Sequence, residues 1–563
     1  MINVRYDKPQ KQRVTEYSGY LSFKFDYTTL EIIKALPVRF WLPEQKEWEV
    51  PTDVLPILRE KVEVNDLNEL PGNTVKLNNL AKFEFKTKPF DHQLEGVKYG
   101  IEHKNWLLGD VQGLGKTKQM IDLACYKKQF EGIKHCLIIC CVNNLKYNWK
   151  NEIEIHSNES AKILGWRKPN KEPTMKDRLD DLGFIPGEFF WITNIETLRM
   201  KKEGRFYKSI FVDTINQLIE QGEIGLVIAD EIHKCKNSTS GQGRGLLGIK
   251  GCCKIGLSGT LLVNKPLDLY TPLKFIGAVN KNQWQFDHTY GLFDIFGNIT
   301  GYQNLSEIQY IINNVMLRRK KDLLSLPEKL EKVEYIELNK EGRKVYKDVE
   351  EAVRNEVAST IDKVKTPASI LSKITRLRQV ATCGSLVSST VKESSKLNRL
   401  KDILEEAKLN NEKVIVFTMF RQIAEICMEQ FKEYEPLHIW GQMNQTELQQ
   451  NVNTFQNSDK TEVLFGVIQA AGTGITLNTA SIVVFLDLPW NYATMEQAED
   501  RAHRIGTKHT VTIIRLISKD TYDERLWRKV ISRGKMSDAL IDMEDIKTVK
   551  PYLDCLFEEK EIY

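Results

Sequence analysis

The sequence predicts an α/β protein: two tandem domains on parallel sheets, with helical insertions, preceded by a small α+β module. Three observations carry this reading. From about Asn105 onward, short apolar β-type runs alternate with longer helical patterns, the signature of βαβ units. The runs fall into two series, separated by a charged stretch of helical pattern. The residues before the first series lack the alternation and are rich in aromatics among Lys and Arg.

Taken in order, residues 1–85 hold Tyr20, Phe23, Phe25, Phe40, Trp41 and Trp48 and read as the α+β module, with Trp41 and Trp48 expected mostly in its core. The first domain, 86–325, has its strands at 105–108, 135–141, 189–193, 225–229 and 254–257, and helical insertion begins near 265. Residues 326–400 read as further helical insertion or linker, too long and too patterned for a plain connection. The second domain, 401–535, has strands at 413–418, 437–440, 463–469, 482–486 and 510–516. The tail, 536–563, is acidic and unsuited to phosphate contact.

Composition bounds the function without naming it. At ~150 residues per domain, 563 residues allow three to four domains. With 80 Lys+Arg against 76 Asp+Glu the net charge is +4, which permits one basic channel balanced by acidic surface. No apolar run approaches the ~18 residues of a membrane span, and Met1-Ile-Asn-Val lacks a secretory apolar region. An intracellular protein with no membrane association is expected. Ten Cys without a CxxC pair read as reduced, buried thiols rather than zinc ligands.

The sharpest local signal is Gly113-Leu-Gly-Lys-Thr117, between a strand and a helix. Such a turn aims backbone N–H groups and the helix dipole at an anion, Lys116 neutralises β/γ-phosphate charge, and Thr117 offers a hydroxyl to Mg²⁺. The standard pattern fails at its first position, which is Asp110, with Gly109 one residue early. Gly225-Leu-Val-Ile-Ala-Asp230-Glu231 then delivers two carboxylates to the sheet edge where ligands bind. Asp230 is suited to hold Mg²⁺ through its water shell, and Glu231 to orient or deprotonate an attacking water. Downstream, Arg501 and Arg504 fall one helical turn apart if the segment is helical, on one face, as arginine fingers would.

In this order the residues resemble the Swi/Snf-type DNA translocases of helicase superfamily two, over about 90–534. Pro89-Phe-Asp-His-Gln93 resembles the family's adenine-recognising segment, implying Gln93 as the adenine contact beside Asp110, Gly113, Gly115, Lys116 and Thr117. Asn148-Trp149-Lys150, Ile192-Thr-Asn-Ile-Glu-Thr197, Ser258-Gly-Thr260 and Met316-Leu-Arg318-Arg319 are similar to later motifs, and Asp230-Glu-Ile-His233 to the DEAH box. Leu377-Arg378-Gln379, Ser395-Lys396-Leu397, Val414-Ile-Val-Phe417, 470–477, Asp487-Leu-Pro-Trp490-Asn491 and 497–506 continue the series. Val111, Cys141 and Leu448 depart from the family pattern.

The resemblance implies two RecA-like lobes, ATP and Mg²⁺ as cofactors, and a DNA-dependent ATPase that walks on double-stranded DNA. Lys116, Asp230, Glu231, Arg501 and Arg504 are the implied catalytic set. Asn148, Lys150, Lys236, Thr418, Thr473 and Trp490 are the implied DNA contacts. The segment from Phe25 to Pro51, within residues 1–85, resembles the HARP-type module of annealing helicases, which implies branched DNA as a partner and makes Arg39 and Lys46 contact candidates. Fork reversal, annealing, repair or recombination in a bacterial or phage-infected cytoplasm, by a nucleoid-associated monomer, would fit. A strand-separating helicase on DNA or RNA, a motor subunit of a defence complex, and an inactive ATP-gated clamp stay open as alternatives.

Overall fold

The computed structural model describes the chain apart from 8–9, 11–17, 37–38, 68–78, 143–144, 168–172, 260–264, 321–325, 361–366, 459–461, 469–474, 542–563 and single residues including Lys236. Its contacts divide it into two units, one made chiefly by Met1–Leu323 and the other by Leu324–Ala539. No described helix is long and apolar enough to cross a membrane.

The first unit opens with a five-stranded sheet in the order β3-β4-β2-β1-β5: β1 (Ile2–Asp7), β2 (Ser18–Ser22), β3 (Phe40–Leu42), β4 (Glu47–Pro51) and β5 (Val64–Asp66). β1 buries Ile2, Val4 and Tyr6 and turns the alternate residues outward, as a sheet with one covered face requires. The helix Tyr27–Lys34, capped by the Asp26 carboxylate accepting from Thr29 N at 2.7 Å, covers that face with Ile33. Tyr310, from the helix Leu305–Val315, packs onto the same core. Trp48 packs against this core, but Trp41, its cross-strand partner at the edge of the same face, corrects the expectation of a mostly buried pair: it is 42% exposed, with its ring 5.3 Å from that of Trp48.

The rest of this unit is built on a parallel sheet in the order β16-β6-β13-β12-β7-β9-β8. Its strands are β6 (Asn105–Leu108), β7 (His135–Cys140), β8 (Ala161–Ile163), β9 (Phe190–Asn194), β12 (Ile224–Asp230), β13 (Cys253–Leu257) and β16 (Met316–Leu317). The short pair β10 (Lys201–Glu203) and β11 (Phe206–Lys208) lies apart. β7 and β12 are near-continuous apolar runs because helices cover both faces, so neither face can be polar. Cys136 and Cys140 are fully buried, and burial pushes both thiols well above their ordinary range. The insertion after 265 is not wholly helical: β14 (Gly291–Phe293) and β15 (Ile299–Tyr302) form a hairpin.

The second unit is a six-stranded parallel sheet, β17-β22-β21-β18-β20-β19. β18 (Val414–Thr418), β19 (Leu437–Ile439), β20 (Val463–Val467), β21 (Ile482–Phe485) and β22 (Val511–Ser518) are the strands the pattern predicts. β17 (Lys329–Ile336) is not: its alternation of Glu and Lys reads as solvated helix, but an edge strand needs apolar contact on only part of its surface. Arg515, 2% exposed on β22, reaches Glu331 of β17 at 2.9 Å and also Glu499, whose other oxygen meets Lys329 at 3.1 Å.

Arg399 grips Glu334 of β17 with two donors, at 2.7 and 3.2 Å. These bonds, against the opposing effect of burial and with help from Lys332, hold the Glu334 carboxyl down to about 2. A depressed carboxyl contributes stability above its unfolded pKa near 4.5, and that contribution is lost as pH falls toward 2. Solvent screens part of it, leaving about 1 kcal/mol. Arg399→Met is expected to flatten this limb of the urea-midpoint profile between pH 5 and 2; an unchanged profile would remove Glu334 as its source.

Candidate functional site

The end of β6 turns through 109–115 into the helix Lys116–Glu131. Gly113 and Gly115 take φ of +88° and +72°, where a side chain costs ~1–2 kcal/mol, and a Cβ on Gly115 would lie 2.3 Å from Gln93 Nε2. The turn therefore brings its backbone close to whatever it holds. Lys116 Nζ bends back to donate to the carbonyls of Asp110 at 2.8 Å and Val111 at 3.4 Å, and Thr117 follows in the first helical turn. Gly259, at the end of β13, faces this lysine: a Cβ there would come within 3.3 Å of Lys116 Nζ and 2.8 Å of Gln112 Cγ.

Asp110 is not a ligand-facing residue, and this corrects its place in the candidate set. Its carboxylate is fully buried and taken by Arg319, whose Nε and Nη2 donate at 3.0 and 2.6 Å, and by Gln119 Nε2 at 3.0 Å. Arg319 also donates from Nη2 to Gln119 Oε1 at 2.7 Å and from Nη1 to the His92 carbonyl. One guanidinium thus ties the phosphate-loop segment, its helix and the helix Asp91–Glu102 to the residues just after β16. Gln93 accepts from Phe90 N at 3.1 Å and donates to the Leu114 carbonyl at 3.4 Å, so it caps its own helix while leaning on the loop.

β12 carries Asp230 and Glu231 to the same sheet edge. Asp230 accepts from Trp149 Nε1 at 2.8 Å and from Glu231 N at 2.9 Å. Glu231 sits at φ +53°, an uncommon conformation for a non-glycine residue, of the kind that clusters at functional sites. Its Oε1 accepts from Gln112 at 3.3 Å, while Oε2 has no aligned donor although the His233 ring nitrogen is 3.2 Å away. That nitrogen instead pairs with Ser258 Oγ at 2.8 Å, joining this segment to the end of β13. Burial and the Glu231 charge push the Asp230 carboxyl up. Burial pushes Glu231 up as well, but the His233 ring and the ammoniums of Lys116 and Lys234 more than offset it, keeping Glu231 ionised. Two buried carboxyls of which one resists ionisation suit a divalent cation, which would restore the charge on Asp230.

In the second unit, Arg501 and Arg504 are brought together, but not on a helix. The helix Tyr492–Glu499 ends before them, because Glu499 is drawn into the buried group with Arg515 and Lys329 and the chain turns through Gly506 at φ +98°. Arg501 donates to the Ile475 carbonyl at 3.3 Å and Arg504 to Thr476 Oγ1 at 2.8 Å, so both arginines line the segment that follows 469–474.

The nucleic-acid candidates divide. Thr418 is fully buried and donates its hydroxyl to Asp487, which burial keeps above the usual carboxylate range; it is a packing residue here, not a surface donor. Trp490 is half-buried with the Arg378 guanidinium 4.5 Å above its ring. Asn148 and Lys150 are half-buried on the helix Leu145–His156, Lys150 lying 5.0 Å over the Trp166 ring. Arg39 donates to the Leu36 carbonyl, and Lys46 is exposed in the β3–β4 turn at φ +55°. Lys236 and Thr473 lie outside the described residues. No group of three or more His, Cys, Asp or Glu side chains among the described residues is placed to hold a metal ion.

The sequence places Trp149, Ser258 and Arg319 inside family motifs, with the Ser258 segment able to couple the phosphate site onward, but assigns no side-chain partner to any of them or to Gln119. For the Asp110–Arg319 pair the available signal was the Asp standing where the phosphate-loop pattern wants Gly, since a carboxylate there needs a buried partner.

The SNF2-related domain model matches residues 92–385 and the helicase conserved C-terminal domain model matches 395–506. An uncharacterized ATP-dependent helicase of Mycoplasma pneumoniae is 28% identical over 494 residues, covering 84% of this chain and 45% of that protein. The DNA annealing helicase and endonuclease ZRANB3 of Mus musculus is 26% identical, covering 82% of this chain and 41% of that one. The SWI/SNF-related matrix-associated actin-dependent regulator of chromatin subfamily A-like protein 1 of Xenopus tropicalis is 26% identical, covering 86% and 48%. The chain thus spans about half the length of these relatives or less. With a glycine-rich turn leading into Lys116, two carboxylates on the adjacent sheet edge and both domain models matched in tandem, the chain belongs to the SNF2-related helicase family.

Proposed function

We propose that the chain is a DNA-dependent ATPase that translocates on double-stranded DNA and remodels branched DNA or DNA–protein complexes, as fork reversal or annealing requires. The observation that supports it best is the convergence of Lys116, Thr117, Asp230 and Glu231 on one edge of one parallel sheet. In this reading Lys116 exchanges its two carbonyl partners for β/γ-phosphate oxygens, and Gln93 meets the adenine. Thr117 and Asp230 hold magnesium, which when bound neutralises phosphate charge. Glu231 orients the attacking water with its undonated oxygen and takes its proton. Arg501 and Arg504 are the cations that meet the γ-phosphate. Among their present partners are the Ile475 carbonyl and the Thr476 hydroxyl, each weaker than a phosphate.

The names of the two vertebrate relatives, one a DNA annealing helicase and the other a regulator of chromatin, favour DNA over RNA as the substrate. The Mycoplasma relative makes a bacterial cytoplasmic setting the natural one. Phosphate release should be measured with no DNA, with single-stranded, duplex and forked DNA, at fixed salt. Stimulation by duplex, raised further by the fork, is expected. Equal rates with and without DNA would overturn the reading.

A further inference from the structure

Three depressions on the first unit join end to end. One, of about 500 Å³, lies at the edge of the helix-covered face of the N-terminal module, among Phe25, Trp41, Trp48, Lys34 and Lys46. It shares Lys34 and Trp48 with a cleft of about 990 Å³ between the module and the insertion, where Arg39 and Phe40 face Lys281 and Tyr290. That cleft shares Asn280 and Lys281 with a third depression, of about 510 Å³, at Trp284 and His288. There the rings of Trp284, His288 and Phe293 stack successively, at 4.1 and 4.9 Å, with Trp284 67% exposed.

Cations and aromatic rings alternate along this whole path. An aromatic pocket for an apolar peptide has no use for four cations at intervals. A single strand of nucleic acid needs both, phosphates at the cations and bases on the rings. Beside the path, Glu31 forms an exposed pair with Lys34 at 3.3 Å, of the weak kind that a phosphate replaces. On it, the half-buried Glu307 accepts from Lys281 at 3.2 Å and from the Tyr290 hydroxyl at 2.9 Å, so Tyr290 holds the carboxylate when Lys281 turns to a phosphate.

We propose that the module and the insertion together form one track for an unpaired nucleic-acid strand, running from Trp41 past Arg39 and Lys281 to the ring stack at Trp284. The proposal rests on the DNA-directed reading above and adds to it a composite site, of which the insertion supplies half. A branched substrate would lay one unpaired arm along it.

The test uses the full chain without nucleotide and a fluorescein-labelled oligo(dT) strand, read by anisotropy across a salt series. Trp41→Ala and Trp284→Ala should each weaken binding about 5- to 100-fold, the range for loss of one base-stacking ring. Lys281→Gln should lower the slope of log affinity against log salt by about 0.7. All three positions are at or near the surface, so melting temperature should stay at the parent value, and duplex-stimulated phosphate release should persist in the Trp284→Ala chain. Unchanged affinity in both tryptophan variants would overturn the track. An effect of Trp41→Ala alone would overturn its composite nature. Because strand binding is read without ATP, absence of DNA-stimulated hydrolysis in the parent chain would count against the ATPase reading alone.

Discussion

Replacing Glu231 by glutamine is expected to lower kcat for ATP hydrolysis by about 10²–10⁴, the span a positioned general base contributes. Nucleotide affinity should remain within a few-fold of the parent. The split follows from the geometry. The carboxylate has Gln112 on one oxygen and no aligned donor on the other, so it is held in place with one oxygen left for water. Glutamine keeps the shape and loses the base. Lys116→Ala should instead raise the nucleotide Kd as well, because that ammonium, now held by two loop carbonyls, is the proposed partner of the β/γ-phosphates. Single-turnover phosphate release and fluorescent-nucleotide titration on both variants check this. A Glu231→Gln chain hydrolysing at the parent rate would show that another group handles the water.

Arg319→Ala is expected to destabilise the first unit by about 3–5 kcal/mol, because Asp110 would remain buried as an unpaired charge. At ~2–4 °C per kcal/mol for domains of this size, its thermal transition should fall by roughly 10 °C. Asp110→Ala should cost a comparable amount by stranding the guanidinium. The double variant Asp110→Asn with Arg319→Gln removes both charges while keeping hydrogen-bonding shape, and should recover much of the loss. A loss in the double variant equal to the sum of the two singles would mean that the pair acts through something other than its charges.

These two sites show what the sequence exposes and what it hides. Both carboxylates after β12 and the lysine of the turn were legible, because each follows its strand within a few residues and the strand announces itself by apolar content. Asp110 was legible as an oddity only. Its partner lies 209 residues away, and nothing local in Arg318-Arg319-Lys320-Lys321 separates the buried arginine from its neighbours. The arginines of the second unit were found by spacing but misplaced on a helix, since the ion group that ends that helix draws on Lys329 and Arg515 from distant strands. The resemblance implies Thr418 as a DNA contact, but nothing local to it shows that Asp487, at the end of a neighbouring strand, takes its hydroxyl inward. β17 was missed because its charges mimic a solvated helix.

β17 also sets the order in which the second half of the chain can mature. It pairs along its whole length with β22, some 180 residues later. As the chain leaves the ribosome, that edge must wait, unpaired, until the last described strand has been made. A fragment beginning at Ser395, where the helicase C-terminal match starts, would lack β17 altogether. Its β22 would present a bare row of backbone donors and acceptors, with Arg515 deprived of Glu331. Self-association is the natural fate of such a fragment.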